Sequence, residues 1–255
     1  MRTISIVGIG AGHPEQITLE AIRVLNDADV LFIPDKGEEK AALAAQRRAL
    51  CARHVTNPSS RTVDFAVPVR RSDLGYLVGV DEWHAAIATI YERLIRDELG
   101  EDGTGAFLVW GDPMLYDSTI RILDRVKTGG RVAFEVTVVP GITSIQALAA
   151  RHRIALNRVG RPVEITTGRR LADNFPGRIQ TAVVMLDGVQ AFMEIDDPDV
   201  LIYWGAYLGT DMEITLSGRL AEVKGAILAA RAEARARHGW IMDIYLMTKG
   251  ADFEE

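Results

Sequence analysis

The chain has 255 residues, enough for one large domain or two modest ones, each with a core of its own. Hydrophobic residues make up 48% and charged residues 25%, an ordinary globular balance, and the net charge of −6 argues against a general polyanion binder. The single cysteine, Cys51, excludes an internal disulfide and any multi-cysteine metal site, and it fits a reducing compartment. No apolar run approaches bilayer-spanning length, and the apolar start of the chain is too short for a signal peptide, so a cytoplasmic location is expected.

A β-branched run over 3–9 predicts a buried first strand. The loop after it, Gly8-Ile-Gly-Ala-Gly-His-Pro-Glu15, invites a dinucleotide-binding reading, Gly-x-Gly-x-x-Gly. The third glycine position is His13, however, and Pro14 sits where the helix should start. What remains is a glycine-rich loop with a rigid end. Thr18 then caps a helix to about Asp27, with Leu19, Ile22 and Leu25 on one face. Residues 30–33 read as a second strand ended by Pro34, and 38–53 as an alanine-rich helix. A loop over 57–62 precedes an alternating strand over 63–69, which Pro68 confines to a sheet edge. The clearest helix is 81–99, capped by Asp81 and ended by Gly100.

The rest of the chain is organised around Phe107-Leu-Val-Trp-Gly-Asp-Pro-Met-Leu-Tyr-Asp-Ser-Thr119. A buried strand ends at Gly111, an exposed Gly-Asp-Pro loop follows, and Asp117 or Ser118 caps a helix over 119–126. Open parallel sheets bind ligands outside the carboxyl ends of their strands. Val132, Phe134, Val136 and Val138 alternate as the next strand. Pro140-Gly-Ile-Thr-Ser144 turns into a helix to about His152, capped by Thr143 or Ser144, with its free amides expected at the same edge as the Gly-Asp-Pro loop. A loop with Gly160 and Pro162 marks the expected change of domain, from an N-terminal α/β domain with a parallel sheet (1–159) to a C-terminal α/β domain with a mixed sheet (160–255). Strands over 163–167, 181–186 and 200–204, a helix over 220–238 stopped by Gly239, and a strand over 241–247 complete the chain. Glycines mark five strand ends, Gly8, Gly111, Gly141, Gly168 and Gly205, which suggests a cleft lined by backbone with a flat or extended ligand against it.

Basic residues cluster in one place. Between Arg151 and Arg170 the chain has a single acid, Glu164, a pattern that points to a poly-anionic small ligand. Arg151 to Arg153 also suit a helix end, whereas Arg169 and Arg170, just after a strand, divide evenly between ligand binding and solvated surface. The five histidines lack metal-ligand spacing and read as structural or exposed, so no metal site is expected. A nicotinamide-dependent oxidoreductase and a non-catalytic nucleotide-binding module stay open on these residues alone, although the missing third glycine counts against the first.

Gly8-x-Gly-x-Gly-x-Pro-Glu, Trp110-Gly-Asp-Pro and Pro140-Gly-Ile-Thr-Ser, in that order and spacing, resemble the tetrapyrrole methylase family. Longer stretches, among them His152-Arg-Ile-Ala-Leu-Asn, Thr166-Thr-Gly-Arg-Arg-Leu, Val184-Met-Leu-Asp-Gly, Tyr203-Trp-Gly-Ala-Tyr-Leu-Gly-Thr and His238-Gly-Trp-Ile-Met-Asp, look like a deacetylating member of that family that acts in cobalamin biosynthesis. The resemblance runs nearly end to end and is weakest over 34–79. It implies two α/β domains with S-adenosylmethionine in the cleft between them. It also implies methyl transfer to a tetrapyrrole, here precorrin-5, with the ring's acetyl group lost as acetate. The implied cofactor contacts are Pro14, Trp110, Gly111, Asp112, Leu115, Thr143, Ser144, Met185 and Ala206. Arg169 and Arg170 would meet substrate carboxylates, and Asp112 is the candidate for a part in the chemistry, with a turn carboxylate as the alternative. A related precorrin or uroporphyrinogen methylase would share the same cofactor site. A homodimer is expected, with no nucleic-acid or membrane partner.

Overall fold

Continuous β-branched and aromatic runs that carry no polar face can be buried on both sides only in the centre of a layered α/β unit. The computed structural model describes residues 1–37, 41–71, 73 and 75–250. It separates into two compact units, Met1–Ile142 and Thr143–Glu255. The expected change of domain lay later, at 159/160. The difference is the helix Ser144–His152 and the loop after it, because that helix packs on strands of the second unit.

The first unit alternates strand and helix: β1 (Arg2–Gly8), α1 (Leu19–Asp27), β2 (Val30–Asp35), α2 (Ala41–His54), β3 (Arg61–Ala66), α3 (Tyr76–Glu98), β4 (Thr104–Val109), α4 (Thr119–Gly129) and β5 (Phe134–Val139). The sheet order is β3-β2-β4-β1-β5, all parallel. Alternate side chains of the central strands serve two cores. Ile4, Ile6, Phe32 and Phe107 pack with α3 and α4, and Val7, Leu31, Ile33, Ala106 and Leu108 pack with α1 and α2. Phe107 stacks between Phe32 and Tyr91, with ring centroids 4.6 and 4.2 Å away.

Several local expectations change. Thr18 does cap α1, accepting the Ala21 amide at 3.1 Å, but Leu19 is 85% exposed and the buried positions are Ala21 and Leu25. Pro34 lies inside β2, past Phe32 where pairing with β4 ends, so its missing amide breaks no ladder on that side. β3 is the edge strand, as its proline signal implies, and ends at Ala66. Of the alanine-rich helix, residues 38–40 lie outside the described residues, and the remainder is α2. Asp81 does not cap α3. The helix begins five residues earlier, behind Gly75, and Asp81 instead pairs with Arg125 of α4 at 2.7 Å. Gly79 lies inside the added turn, where a Cβ would be 2.5 Å from the Arg71 carbonyl oxygen.

The second unit comprises α5 (Ser144–His152), β6 (Glu164–Thr167), α6 (Gly168–Asn174), β7 (Thr181–Met185), a 3₁₀ turn (Ala191–Glu194), β8 (Val200–Ala206), β9 (Ile214–Arg219), α7 (Leu220–His238) and β10 (Asp243–Lys249). Its sheet runs β6-β7-β10-β8-β9, with β6 and β7 parallel and the other pairs antiparallel. The mixed sheet is as expected. β9 and α6 carry no signal strong enough to read from sequence: β9 is half-exposed along its length, and α6 has seven residues. β8 runs through Gly205 to Ala206. That glycine does not end the strand; a Cβ there would lie 2.7 Å from Leu208 and 2.9 Å from Leu148 of α5.

Candidate functional site

In the first unit, three loops leave the carboxyl ends of neighbouring parallel strands β4, β1 and β5 and lock together through their backbones. The Ile9 amide donates to the Val109 carbonyl at 3.0 Å, and Gly10 and Gly111 exchange amide–carbonyl bonds at 3.3 and 2.8 Å. Both of these glycines have positive φ, 85° and 68°, which only glycine adopts without strain. A Cβ on Gly8 would lie 2.6 Å from the Gly141 nitrogen, and one on Gly141 would lie 2.1 Å from the Gly111 oxygen. At Gly8 and Gly141 the expectation of room for a flat ligand is therefore replaced: each gives room to a neighbouring loop. Gly168 behaves likewise, with its Cβ position filled by the Asp187 carboxylate at 2.1 Å.

Asp112 closes this knot. One carboxylate oxygen accepts the Met114 amide and the other the Gly141 amide, both at 2.8 Å, and the residue is 8% exposed. A single side chain thus fixes its own Asp-Pro turn and ties it to the end of β5. Asp117 accepts the Thr119 amide at 2.7 Å and starts α4, while Ser118, the other expected cap, makes no side-chain cap bond. Around the knot, Trp110 and Leu115 are half-buried. The Pro14 carbonyl meets His54 Nε2 of α2 at 3.0 Å, so the rigid end of the first loop is anchored.

In the second unit, Thr143 and Gln146 form a full capping box on α5. The Gln146 amide donates to Thr143 Oγ1 at 3.3 Å and the Thr143 amide donates to Gln146 Oε1 at 2.8 Å, which leaves Ser144 as the first helical residue. Met185 ends β7 and Ala206 ends β8, and each is followed by a residue of positive φ, Leu186 at 54° and Tyr207 at 49°. A buried polar network holds both corners. Asp187 accepts the amides of Val189 and Ala191 at 3.1 and 2.7 Å and the Tyr245 hydroxyl at 2.6 Å. Arg231 joins Asp243 at 2.9 Å and the Asp187 carbonyl at 2.9 Å, and Trp204 donates to the same Asp243 oxygen at 3.0 Å. Burial, with Asp187 beside it, pushes the Tyr245 hydroxyl well above the usual tyrosine range, so it is a fixed donor. No role for these five residues is evident from sequence. Asp187 and Asp243 fall within long matched stretches, but Arg231 looks like one more charge on an alanine-rich helix.

The basic cluster is dispersed. Arg151 pairs with Glu213 at 2.7 Å, and Arg153 caps α5 in the left-handed region. Arg169 and Arg170 lie exposed in the first turn of α6, where Arg170 meets Asp173 at 3.2 Å.

Residues 3–224 match the family described as Tetrapyrrole (Corrin/Porphyrin) Methylases. The chain belongs to the tetrapyrrole methylase family. Among family members, it is 66% identical to a precorrin-6A synthase [deacetylating] from Sinorhizobium sp., over 100% of this chain and 98% of the relative. The crystal structure of a cobalamin synthesis related protein, CobF, from Corynebacterium diphtheriae superposes with a TM-score of 0.85 at 36% identity, covering 98% of this chain and 99% of that one. A uroporphyrin-III C-methyltransferase from Thermus thermophilus, solved in complex with S-adenosylhomocysteine, shares the fold at 19% identity and a TM-score of 0.56, over 96% of this chain and 97% of that one. Tetrapyrrole methylases thus set the two-domain α/β frame on which this chain's loops are arranged. No helix among the described residues is long and apolar enough to cross a membrane.

The loop knot makes a direct prediction. Gly141→Ala places a methyl group against the Gly111 carbonyl and must part the β4 and β5 loops, at a cost of about 1–3 kcal/mol or more. Urea unfolding measures it; parent-like stability together with parent-like exchange of the Gly141-region amides would contradict the packing described.

Proposed function

We propose that this chain is an S-adenosylmethionine-dependent C-methyltransferase of cobalamin biosynthesis that methylates precorrin-5 and releases its acetyl group as acetate, giving precorrin-6A. The observation that carries this reading is the 66% identity over the whole chain to a deacetylating precorrin-6A synthase. A cytoplasmic location is part of the same reading. Another precorrin or uroporphyrinogen methyltransferase would share the loops but would release no acetate.

The residues suit the cofactor. First-turn amides of a helix have no intrahelical acceptor, so those of Ser144 and Ile145 on α5 are available to a carboxylate. Trp110 and Leu115 offer half-buried apolar surface for an adenine ring. Gly111 and Asp112 hold that surface in place, and Pro14 fixes the neighbouring loop. Thr143 uses its side chain on the cap and so acts by setting the first turn. Met185 and Ala206 stand at the two braced corners, and Ala206, fully buried between β9 and β10, acts by fixing the backbone of its corner. Bound S-adenosylmethionine supplies an electrophilic methyl group on a sulfonium centre, which leaves the protein to align the ring and exclude water.

Acetyl loss is the harder half. Water must add to the acetyl carbonyl, the bond from that carbon to the ring then breaks, a proton goes to the ring and acetate departs. A base for that water contributes on the order of 10²–10⁴-fold. We propose Asp112 for it. Each of its oxygens accepts one amide, and an ionised carboxylate oxygen has capacity for a second donor. Arg169 and Arg170, exposed beside β6, are proposed to meet the carboxylates of the ring. We also propose a homodimer, for which the exposed Tyr76, Leu77 and Val78 at the start of α3 supply an apolar patch; a monomer in sedimentation velocity at micromolar concentration would remove that proposal.

Calorimetric titration tests the cofactor assignment: S-adenosylhomocysteine is expected to bind and NADH is not, and the reverse would overturn the reading. Arg169→Ala with Arg170→Ala is expected to weaken tetrapyrrole binding by roughly 3- to 30-fold and to leave S-adenosylhomocysteine affinity unchanged. Equal loss for both ligands would give these arginines a structural role. Asp112→Asn, measured in single turnover with both ligands bound, is expected to slow acetate release by about 10²–10⁴-fold while methyl incorporation persists. Parent-like rates for both would leave Asp112 as the clasp alone.

A further inference from the structure

Within the first unit, the carboxyl ends of β2, β3 and β4 surround a cavity of about 210 Å³ that none of the roles above uses. Phe65, Trp83 and Phe107 form much of its apolar wall, and Arg47 of α2 is its buried cation. Arg47 is 5% exposed. Its Nε donates to the Leu108 carbonyl at 3.2 Å and its Nη1 to the Leu43 carbonyl at 3.1 Å, both neutral acceptors, and its guanidinium carbon lies 5.8 Å from the centre of the Trp110 ring. Among the described residues, no carboxylate forms a direct ion pair with it, and Asp117 acts on it only through space. The nearest acid in the wall, Asp117, spends an oxygen on the Thr119 amide that starts α4. Tyr91 is bonded to the Thr119 side chain.

A buried cation with no carboxylate in direct contact is costly, and proteins normally pair it. Burial lowers the Arg47 guanidinium only to about 10, with Asp117 pulling the other way, so it stays charged at neutral pH. The fork of unspent N–H donors matches the two oxygens of a carboxylate. The volume sets the size of the guest. Pockets for drug-sized ligands run to about 300–1,000 Å³, so this one is too small for a tetrapyrrole and large enough for a short acid.

We infer that the Arg47 cavity is a carboxylate site that takes a two- or three-carbon acid, either free acetate or a carboxylate arm of the ring. The assignment of the guest rests on the proposed reaction, which generates acetate from a carboxylate-rich substrate. The guanidinium would donate to both carboxylate oxygens in a bidentate pair, and Phe65, Phe107 and Trp83 would cover the methyl or methylene carbons.

Saturation-transfer NMR with ¹³C-acetate on the full chain alone, with chloride matched for ionic strength, tests the site. Transfer to acetate is expected in the parent and is expected to fall at least tenfold in Arg47→Met, which removes the charge and keeps the volume. It is expected to fall as much in Val67→Phe, which adds a ring to the cavity lining and leaves the charge, so the test survives if the first variant does not fold. Adding uroporphyrin separates the two sources: loss of the acetate signal assigns the site to a ring arm, and its persistence assigns it to released acetate. No transfer in the parent, or undiminished transfer in both variants, overturns the proposal. Titration of the same parent sample with S-adenosylhomocysteine keeps the two readings apart, because cofactor binding without acetate binding discards the cavity and spares the methyltransferase assignment.

Discussion

The hydrogen bond from the Gly141 amide to the Asp112 carboxylate, 2.8 Å long, is the constraint on which the first unit's loop edge depends. Three parallel strands deliver three loops to one place, and parallel pairing alone does not fix what those loops do beyond the last ladder bond. The Gly10–Gly111 bridge joins the first two loops, the interleaved backbones of Gly8, Gly111 and Gly141 bring in the third, and Asp112 holds the result with both oxygens. Every contact in this knot is main chain or made by one short carboxylate. The half-buried Trp110 and Leu115 thereby stand on a rigid base, which is what precise placement of a ligand requires.

The second unit reaches a similar end by different means. Its sheet is mixed, and its two corners after Met185 and Ala206 carry positive φ on non-glycine residues. Strain of that kind persists only where the surroundings over-determine it. Here the Asp187–Tyr245–Arg231–Asp243–Trp204 network supplies that surrounding, with hydrogen bonds of 2.6 to 3.0 Å converging behind the two strand ends. Each unit thus uses buried acids as clasps, and in both cases the carboxylates accept backbone amides.

Much of the architecture was legible in the sequence because its signals are local. The strands of the parallel sheet are short apolar runs between glycines, and the caps at Thr18 and Thr143 are single residues with a defined amide to accept. What sequence could not supply is what depends on a distant neighbour. The glycines were legible as special, but the reason was not: at Gly8 and Gly141 the crowding atoms belong to each other and to Gly111, not to a ligand. Helix α3 begins at Tyr76, before Asp81, and Gly79 within that first stretch is required by the nearby Arg71 carbonyl, a neighbour no local pattern reveals. Arg47 sits beside Arg48 in an alanine-rich helix, and nothing local says that the first is buried over Trp110 while the second pairs with Asp64 at the surface. The run of basic residues is likewise divided by distant neighbours: Arg151 pairs with Glu213, Arg153 ends α5, and Arg170 meets Asp173 within α6.

Coupling between methyl transfer and acetyl loss is the deciding property, because methyl transfer alone is common to the family and acetyl loss separates the proposed activity from the others. The most direct measurement is a single-turnover reaction of the full chain with precorrin-5 and methyl-labelled S-adenosylmethionine, in which label incorporated into the ring and acetate released are quantified from the same samples. One acetate per methyl group transferred is the result expected. Methyl transfer to the ring with no acetate released would contradict it.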